Sequence, residues 1–120
     1  MNKRPDILDR AKQLALRIIR LYAALPRTVV AQTIGKQVLR SGTSVGAHLR
    51  EGKRSRSNAE MVSKIEGALQ ELEETMYWLE LLGEAGIVDQ PLLANLMSEA
   101  NEMTAILVAS AKTIKAKQRK

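Results

Sequence analysis

Between Arg40 and Arg56 the chain sets small residues at helical spacing beside a dense run of cations: Arg40-Ser-Gly-Thr-Ser-Val-Gly-Ala-His-Leu-Arg-Glu-Gly-Lys-Arg-Ser-Arg56. Gly42 and Gly46 stand four apart, on one face of a helix. A helix that gives up side chains on one face needs a neighbour pressed closely against it. On propensity alone, Ser41, Gly42, Thr43, Ser44 and Gly46 would end the helix. The apolar phase resumes at Val45 and Leu49, so we expect the helix to continue, with the hydroxyls bonding back to preceding carbonyls. The alternative is a loop between two short helices.

The flanking sequence supplies candidate neighbours. Leu8, Ala11, Ala15, Ile18, Tyr22 and Leu25 keep helical phase, with Asp6 as N-cap and Pro26 as stop. A second helix starts at the cap Thr28, with Val30, Ile34, Val38, Val45 and Leu49 as its apolar line. Ser57 followed by Glu60 is a capping box for a third, carried by Met61, Ile65, Ala68, Leu69, Leu72, Met76, Leu79 and Leu82 and ended at Gly86. The fourth starts at Asp89. It sets Leu93, Leu96, Ala100, Met103, Leu107, Ser110 and Ile114 alternately three and four apart, a heptad seam that Leu92 and Ile106 thicken. The expected helices cover residues 6–25, 28–53, 57–85 and 89–116. The predicted fold is all-α, a single antiparallel up-down-up-down four-helix bundle spanning 1–120. With 2% aromatic residues and no Phe, its core must be aliphatic.

Charge falls in blocks. Residues 1–35 carry +5, 36–59 carry +5, 60–102 carry −9 and 103–120 carry +5. The connection turns helices 2 and 3 antiparallel, bringing the Arg50 end near Glu66 and Arg40 nearer Glu71 and Glu74, so we expect at least one Arg–Glu bridge among Arg40, Arg50, Glu66, Glu71 and Glu74, within the chain or across a subunit contact. Such pairs fix register more than they add stability.

Catalytic signatures are absent. Ser41 and Ser44 have no acidic neighbour and no well-placed His. The single His48 excludes a di-iron site of the Glu-x-x-His type within one chain. His48 and Glu51, three apart, could make only a weak site, alone or as a ring of His48 in an oligomer. No metal or other cofactor is expected. There is no Cys, no apolar run approaches the ~20 residues of a membrane span, and no signal peptide is evident. The expectation is a soluble cytoplasmic protein without membrane partners.

The segments Arg40-Ser-Gly-Thr-Ser-Val-Gly-Ala, Arg50-Glu-Gly, Ala68-Leu-Gln-Glu-Leu-Glu-Glu and Trp78-Leu-Glu-Leu-Leu-Gly resemble the rRNA intervening-sequence protein family, whose members are four-helix bundles. The resemblance covers roughly residues 5–110. It implies a homopentamer. Through the related accessory variability determinant of diversity-generating retroelements, it also implies nucleic acid or a reverse transcriptase as partner. Family members more often carry Asn where this chain has His48.

Two functions follow as expectations. Arg50, Lys53, Arg54 and Arg56 can reach phosphates of DNA or RNA. With only Tyr22, Tyr77 and Trp78 as aromatics, such binding would be backbone-driven and weakly specific. Alternatively, a pentameric scaffold or adaptor docks an acidic protein on its basic face.

Overall fold

The computed structural model describes residues 6–118. Four helices follow one another: α1 (Ile7–Ala23), α2 (Val29–Lys53), α3 (Asn58–Glu84) and α4 (Gln90–Gln118). They form an all-α, up-down-up-down bundle. Among the described residues no helix is long and apolar enough to cross a membrane.

The helix starts are set by side-chain caps, which satisfy N–H groups that have no intrahelical partner. Asp6 accepts from the Asp9 N–H at 2.9 Å, Thr28 from Ala31 at 3.2 Å and Ser57 from Glu60 at 3.1 Å. The turns are equally local. Tyr22 Oη donates to Gln32 Oε1 at 2.7 Å, and Gln32 Nε2 donates to the Pro26 carbonyl at 3.0 Å, which ties α1 to α2. After α3, Gly86 takes φ +73, the left-handed conformation that costs glycine least. The Ile87 N–H then reaches the Leu82 carbonyl at 3.0 Å and the Gly86 N–H reaches Gly83 at 3.1 Å, a Schellman closure.

α2 runs unbroken through Ser41–Gly46. Thr43 Oγ1 donates to the Leu39 carbonyl at 2.8 Å and Ser44 Oγ to Arg40 at 2.7 Å, so the hydroxyls are spent within the helix. The buried residues of α2 are Ala31, Gly35, Val38, Ser41, Gly42, Val45, Leu49 and Gly52. Against the side of Gly35 and Gly42 lies α1. A Cβ on Gly42 would collide with the Ile18 side chain, and one on Gly35 would stand 2.5 Å from a Leu25 methyl. Gly46 is less demanding: its nearest neighbour would be the Ala11 Cβ at an ordinary 3.6 Å.

Some expected core positions face out. Val30 is 58% exposed, because Ala31 takes the inward place and Val30 lies ~100° further round the helix. Leu92 and Ile106 are 69% and 37% exposed and do not thicken the α4 seam. That seam buries Leu93, Leu96, Ala100, Met103 and Leu107, then passes to Ala111, leaving Ser110 and Ile114 half-buried. A helix drifts ~20° per heptad against a strict seven-residue repeat, which carries Ala111 inward.

Contacts between helices are uneven. α2 and α3 share the most extensive interface, and α1 and α4 touch only sparingly. The bundle is flattened accordingly, 53 × 34 × 21 Å.

Candidate nucleic-acid interface

The connection from α2 to α3 is short and held by its backbone. The Arg54 N–H donates to the Glu51 carbonyl at 3.2 Å. The Gly52 carbonyl receives both the Ser55 N–H at 3.1 Å and the Ser55 hydroxyl at 2.6 Å. On this fixed turn stand Arg50, Lys53, Arg54 and Arg56, all exposed. Arg50 and Lys53 occupy the last turn of α2, where cations complement the negative end of the helix dipole.

α4 brings its C-terminal half to the same end of the bundle: Leu107, Ser110 and Ile114 line one cleft together with Leu49, Gly52 and Lys53. Lys112, Lys115 and Lys117 therefore add to the basic end. Nearby carboxylates are partly engaged. Glu51 accepts from Lys64 Nζ at 2.7 Å, and Glu66 from Lys115 Nζ at 2.8 Å. The Lys64 bond holds the Glu51 carboxyl below its usual range, and the same bond pushes the Lys64 ammonium up. Among the described residues, Arg50, Lys53, Arg54 and Arg56 make no ion pair with a carboxylate.

The expected helix 2–helix 3 bridges divide. Arg40 spans two acids of α3, with Nη1 3.3 Å from Glu71 Oε2 and Nη2 2.7 Å from Glu74 Oε1. Arg50 does not meet Glu66, because Glu66 projects toward Lys115 of α4. His48 and Glu51 do not come together as a ligand pair: Glu51 is held by Lys64, and the His48 ring lies against Gly67, with Nε2 3.8 Å from Glu71 Oε2. His48 Nδ1 and Glu71 Oε1 are buried without a hydrogen-bond partner among the described residues. Among the described residues no group of three or more His, Cys, Asp or Glu side chains could hold a metal ion.

Sequence reasoning passed over three features. Gly35 receives α1 seven residues before Gly42, and that spacing was visible. Gly67 admits the His48 ring, from which an added Cβ would stand only 3.0 Å away, and no local signal announces it. Arg10 binds Glu99 with Nε at 3.0 Å and Nη2 at 2.6 Å, and reaches Glu102 at 3.1 Å. The Glu99 bond holds the Arg10 guanidinium even more firmly protonated than usual.

The aromatics stand apart from the basic turn. The Tyr22 hydroxyl is engaged at the opposite turn by Gln32, and Tyr77 and Trp78 pack edge to face at 5.1 Å in the C-terminal half of α3. Nothing at the basic end offers a base a stacking platform.

Comparison with known proteins gives a consistent picture. The model of a family described as 23S rRNA-intervening sequence protein matches residues 3–109. No curated protein matches the chain. A crystal structure of a protein of unknown function, from the S23 ribosomal protein family of Bacteroides thetaiotaomicron VPI-5482, is similar at 34% identity and a TM-score of 0.84, over 89% of this chain and 99% of that one.

Proposed function

The chain belongs to the 23S rRNA-intervening sequence protein family, and from that premise we propose that it is a non-enzymatic bundle protein that binds nucleic acid through phosphate contacts. The observation that carries this reading is the set Arg50, Lys53, Arg54 and Arg56, exposed on one rigid turn and without carboxylate partners among the described residues. Phosphates bind such groups without regard to sequence, and the distance of the aromatics from this turn argues for low specificity.

The functional unit in this reading is a homo-oligomer, for which the family resemblance suggests five copies. Its support is an unmatched pair of surfaces. One is a groove between α3 and α4, lined by Leu69, Met76, Tyr77, Met97 and Val108 with Glu73 and Glu80 beside them. The other is the outer face of α1, where Lys12 and Arg20 flank an Ile19 that is 45% exposed. Apolar surface flanked by opposite charge suits head-to-tail packing, which makes a ring where the rotation from copy to copy closes. Assembly would multiply the basic turns.

The test is fluorescence anisotropy of labelled duplex and single-stranded oligonucleotides, titrated with salt, on nuclease-treated protein whose mass is fixed by light scattering. The expected result is binding whose log-log salt slope is about 0.9 for each duplex phosphate neutralised, and which vanishes when Lys53, Arg54 and Arg56 become Glu. Absence of binding at low salt, or a triple variant that binds as well as the parent, overturns the reading. The basic turn then docks an acidic protein, a reverse transcriptase among the candidates, and a pull-down that survives nuclease identifies it.

A further inference from the structure

Glu73 and Glu80 lie seven residues apart on α3, ~10 Å along one face of the helix, and both stand exposed at the α3–α4 groove. Among the described residues the groove is lined by no cation, and neither acid has an ion-pair partner. Between them Tyr77 is 53% exposed. On α1, Lys12, Leu16, Ile19 and Ala23 keep the spacing of one helix face, with Arg20 beside Ile19. Leu16 is half-buried, yet it is not among the residues packed on the core. Lys12 and Arg20 are exposed and make no ion pair among the described residues. Asp9, the acid of this face, stands a turn before Lys12, outside the span of the two cations.

Contacts within the chain set the heights of these two rows. A Cβ on Gly46 would meet Ala11, and Gly46 lies two residues before His48, whose ring rests on Gly67. Ala11 is therefore level with Leu69, and Lys12 with Gln70. A Cβ on Gly42 would meet Ile18, and the adjacent Ser41 is bonded by Thr75. Ile18 is therefore level with Thr75, Ile19 with Met76 and Arg20 with Tyr77. Each cation stands three residues, ~5 Å of rise, below a carboxylate, within the reach of a Lys or Arg side chain. α1 and α3 also run in the same direction. A rotation about an axis along the bundle thus brings α1 of one copy parallel to α3 of the next with every height unchanged. We infer that α1 of a second copy fills the groove by this rotation, with Lys12 on Glu73, Ile19 on Tyr77 and Arg20 on Glu80. A head-to-tail contact without an axial step closes into a ring, whereas one with a step winds into a filament. Resting on the homo-oligomeric reading above, this contact sets every basic turn on one rim, a single cationic face for phosphates.

The chain has no Cys, so engineered pairs report without background. In the full chain, Ile19→Cys with Tyr77→Cys is expected to cross-link between copies on mild oxidation. The ladder should end in one closed species whose mass matches light scattering of the reduced protein. Ile19→Cys with Gln70→Cys, in the same groove but seven residues or ~10 Å lower, should stay free, because a disulfide does not span that gap. Lys12→Glu with Arg20→Glu should reduce the assembly to protomer mass where the parent is assembled, and so should Glu73→Lys with Glu80→Lys. All four changes in one chain should restore the parent mass, with helical circular dichroism unchanged throughout. The contact is overturned by cross-linking of the Gln70→Cys pair in preference to the Tyr77→Cys pair, by a ladder with no top species, by full mass in either double variant, or by a fourfold variant that stays dissociated. A parent that binds oligonucleotide as a monomer overturns the contact and leaves phosphate binding standing. An assembled parent that forms these cross-links and ignores oligonucleotide does the opposite.

Discussion

Where α2 meets α3, Ser41 and Thr75 bury a hydroxyl pair 2.8 Å apart, and Gly67 makes room for His48. Where α1 meets α4, the contact is sparse, and Arg10 reaches across to Glu99 and Glu102, with clefts above and below it. The first seam has shape at its centre and charge at its rim: small residues let two backbones approach, hydrogen-bonded hydroxyls fill the gap, and the Arg40–Glu71, Arg40–Glu74 and Lys64–Glu51 pairs lie outside them. The second is specified by charge, with a two-point guanidinium bridge in the place that interdigitated side chains take elsewhere. Shape complementarity is insensitive to salt, whereas the ionic seam is screened in part, mainly through Glu102, which is far more exposed than Arg10 or Glu99. The two seams should therefore answer differently to mutation and to conditions.

The largest effect is expected where packing leaves no room. On the α2 row facing α1, Gly42→Leu forces Ile18 aside, a strain of about 1–3 kcal/mol for overpacking, read as a lower denaturation midpoint in urea. Gly46→Ala, one turn on, meets ordinary space and gains helix propensity, so it should be neutral or stabilising by up to about 1 kcal/mol. Equal losses at the two positions would break the claim that fit at single sites governs this face of α2.

Next comes the ionic seam. Arg10→Met leaves Glu99 and Glu102 without a partner and should cost about 1–2 kcal/mol. The penalty should shrink in high salt, and a double-mutant cycle with Glu99→Gln should return most of it as coupling energy. A cost unchanged by salt would mean that Arg10 acts through its methylene stem instead. Smaller again is the hydroxyl pair. Thr75→Val alone removes the bond that the Ser41 hydroxyl accepts, leaving only its long donation to Val38, and should cost about 1 kcal/mol, whereas Ser41→Ala with Thr75→Val should cost less than the two single changes added together.

The smallest effect concerns pH. Glu51 is held below its ordinary value of 4.5 by Lys64. The contribution is therefore complete above 4.5 and fades as pH falls through the lowered value. Lys64, raised above 10.5, mirrors it at the alkaline end: its share is present below 10.5 and is lost as pH rises through the raised value. Both groups are exposed, so Glu51→Gln should flatten the acid limb of a stability profile only slightly. A large change would mean that the α2–α3 seam depends on this one pair more than an exposed ion pair allows.

The amino-acid sequence makes some of this plain and hides the rest, for a physical reason. Caps at Asp6, Thr28 and Ser57 are legible because they join residues three apart. The cationic turn is legible because its members are adjacent. The Arg10–Glu99 bridge is not, since 89 residues separate its ends and only the closed bundle brings them together. The contact of Arg40 with Glu71 and Glu74 could be anticipated because a single antiparallel turn fixes which residues oppose each other. The same reasoning misplaced Arg50, since it left out α4, whose Lys115 captures Glu66. Val30, Leu92 and Ile106 share the lesson: periodicity assigns a residue to a face, but the neighbour that covers the face decides burial.

The unequal seams also carry an order of events. α1–α2, α2–α3 and α3–α4 each join consecutive helices, whereas α1–α4 is the one seam that must close most of the chain into a loop. Loop-closure entropy grows with that separation, so local hairpins form before the distant ends meet. The α2–α3 hairpin, most extensive and most local, should be structured early in the folding transition state. The ends of α1 and α4 dock last and, in the native ensemble, part first. The cleft beside Lys53 is then the final piece of the molecule to be built and the first to dissolve, a wall that breathes while the rest of the bundle stands.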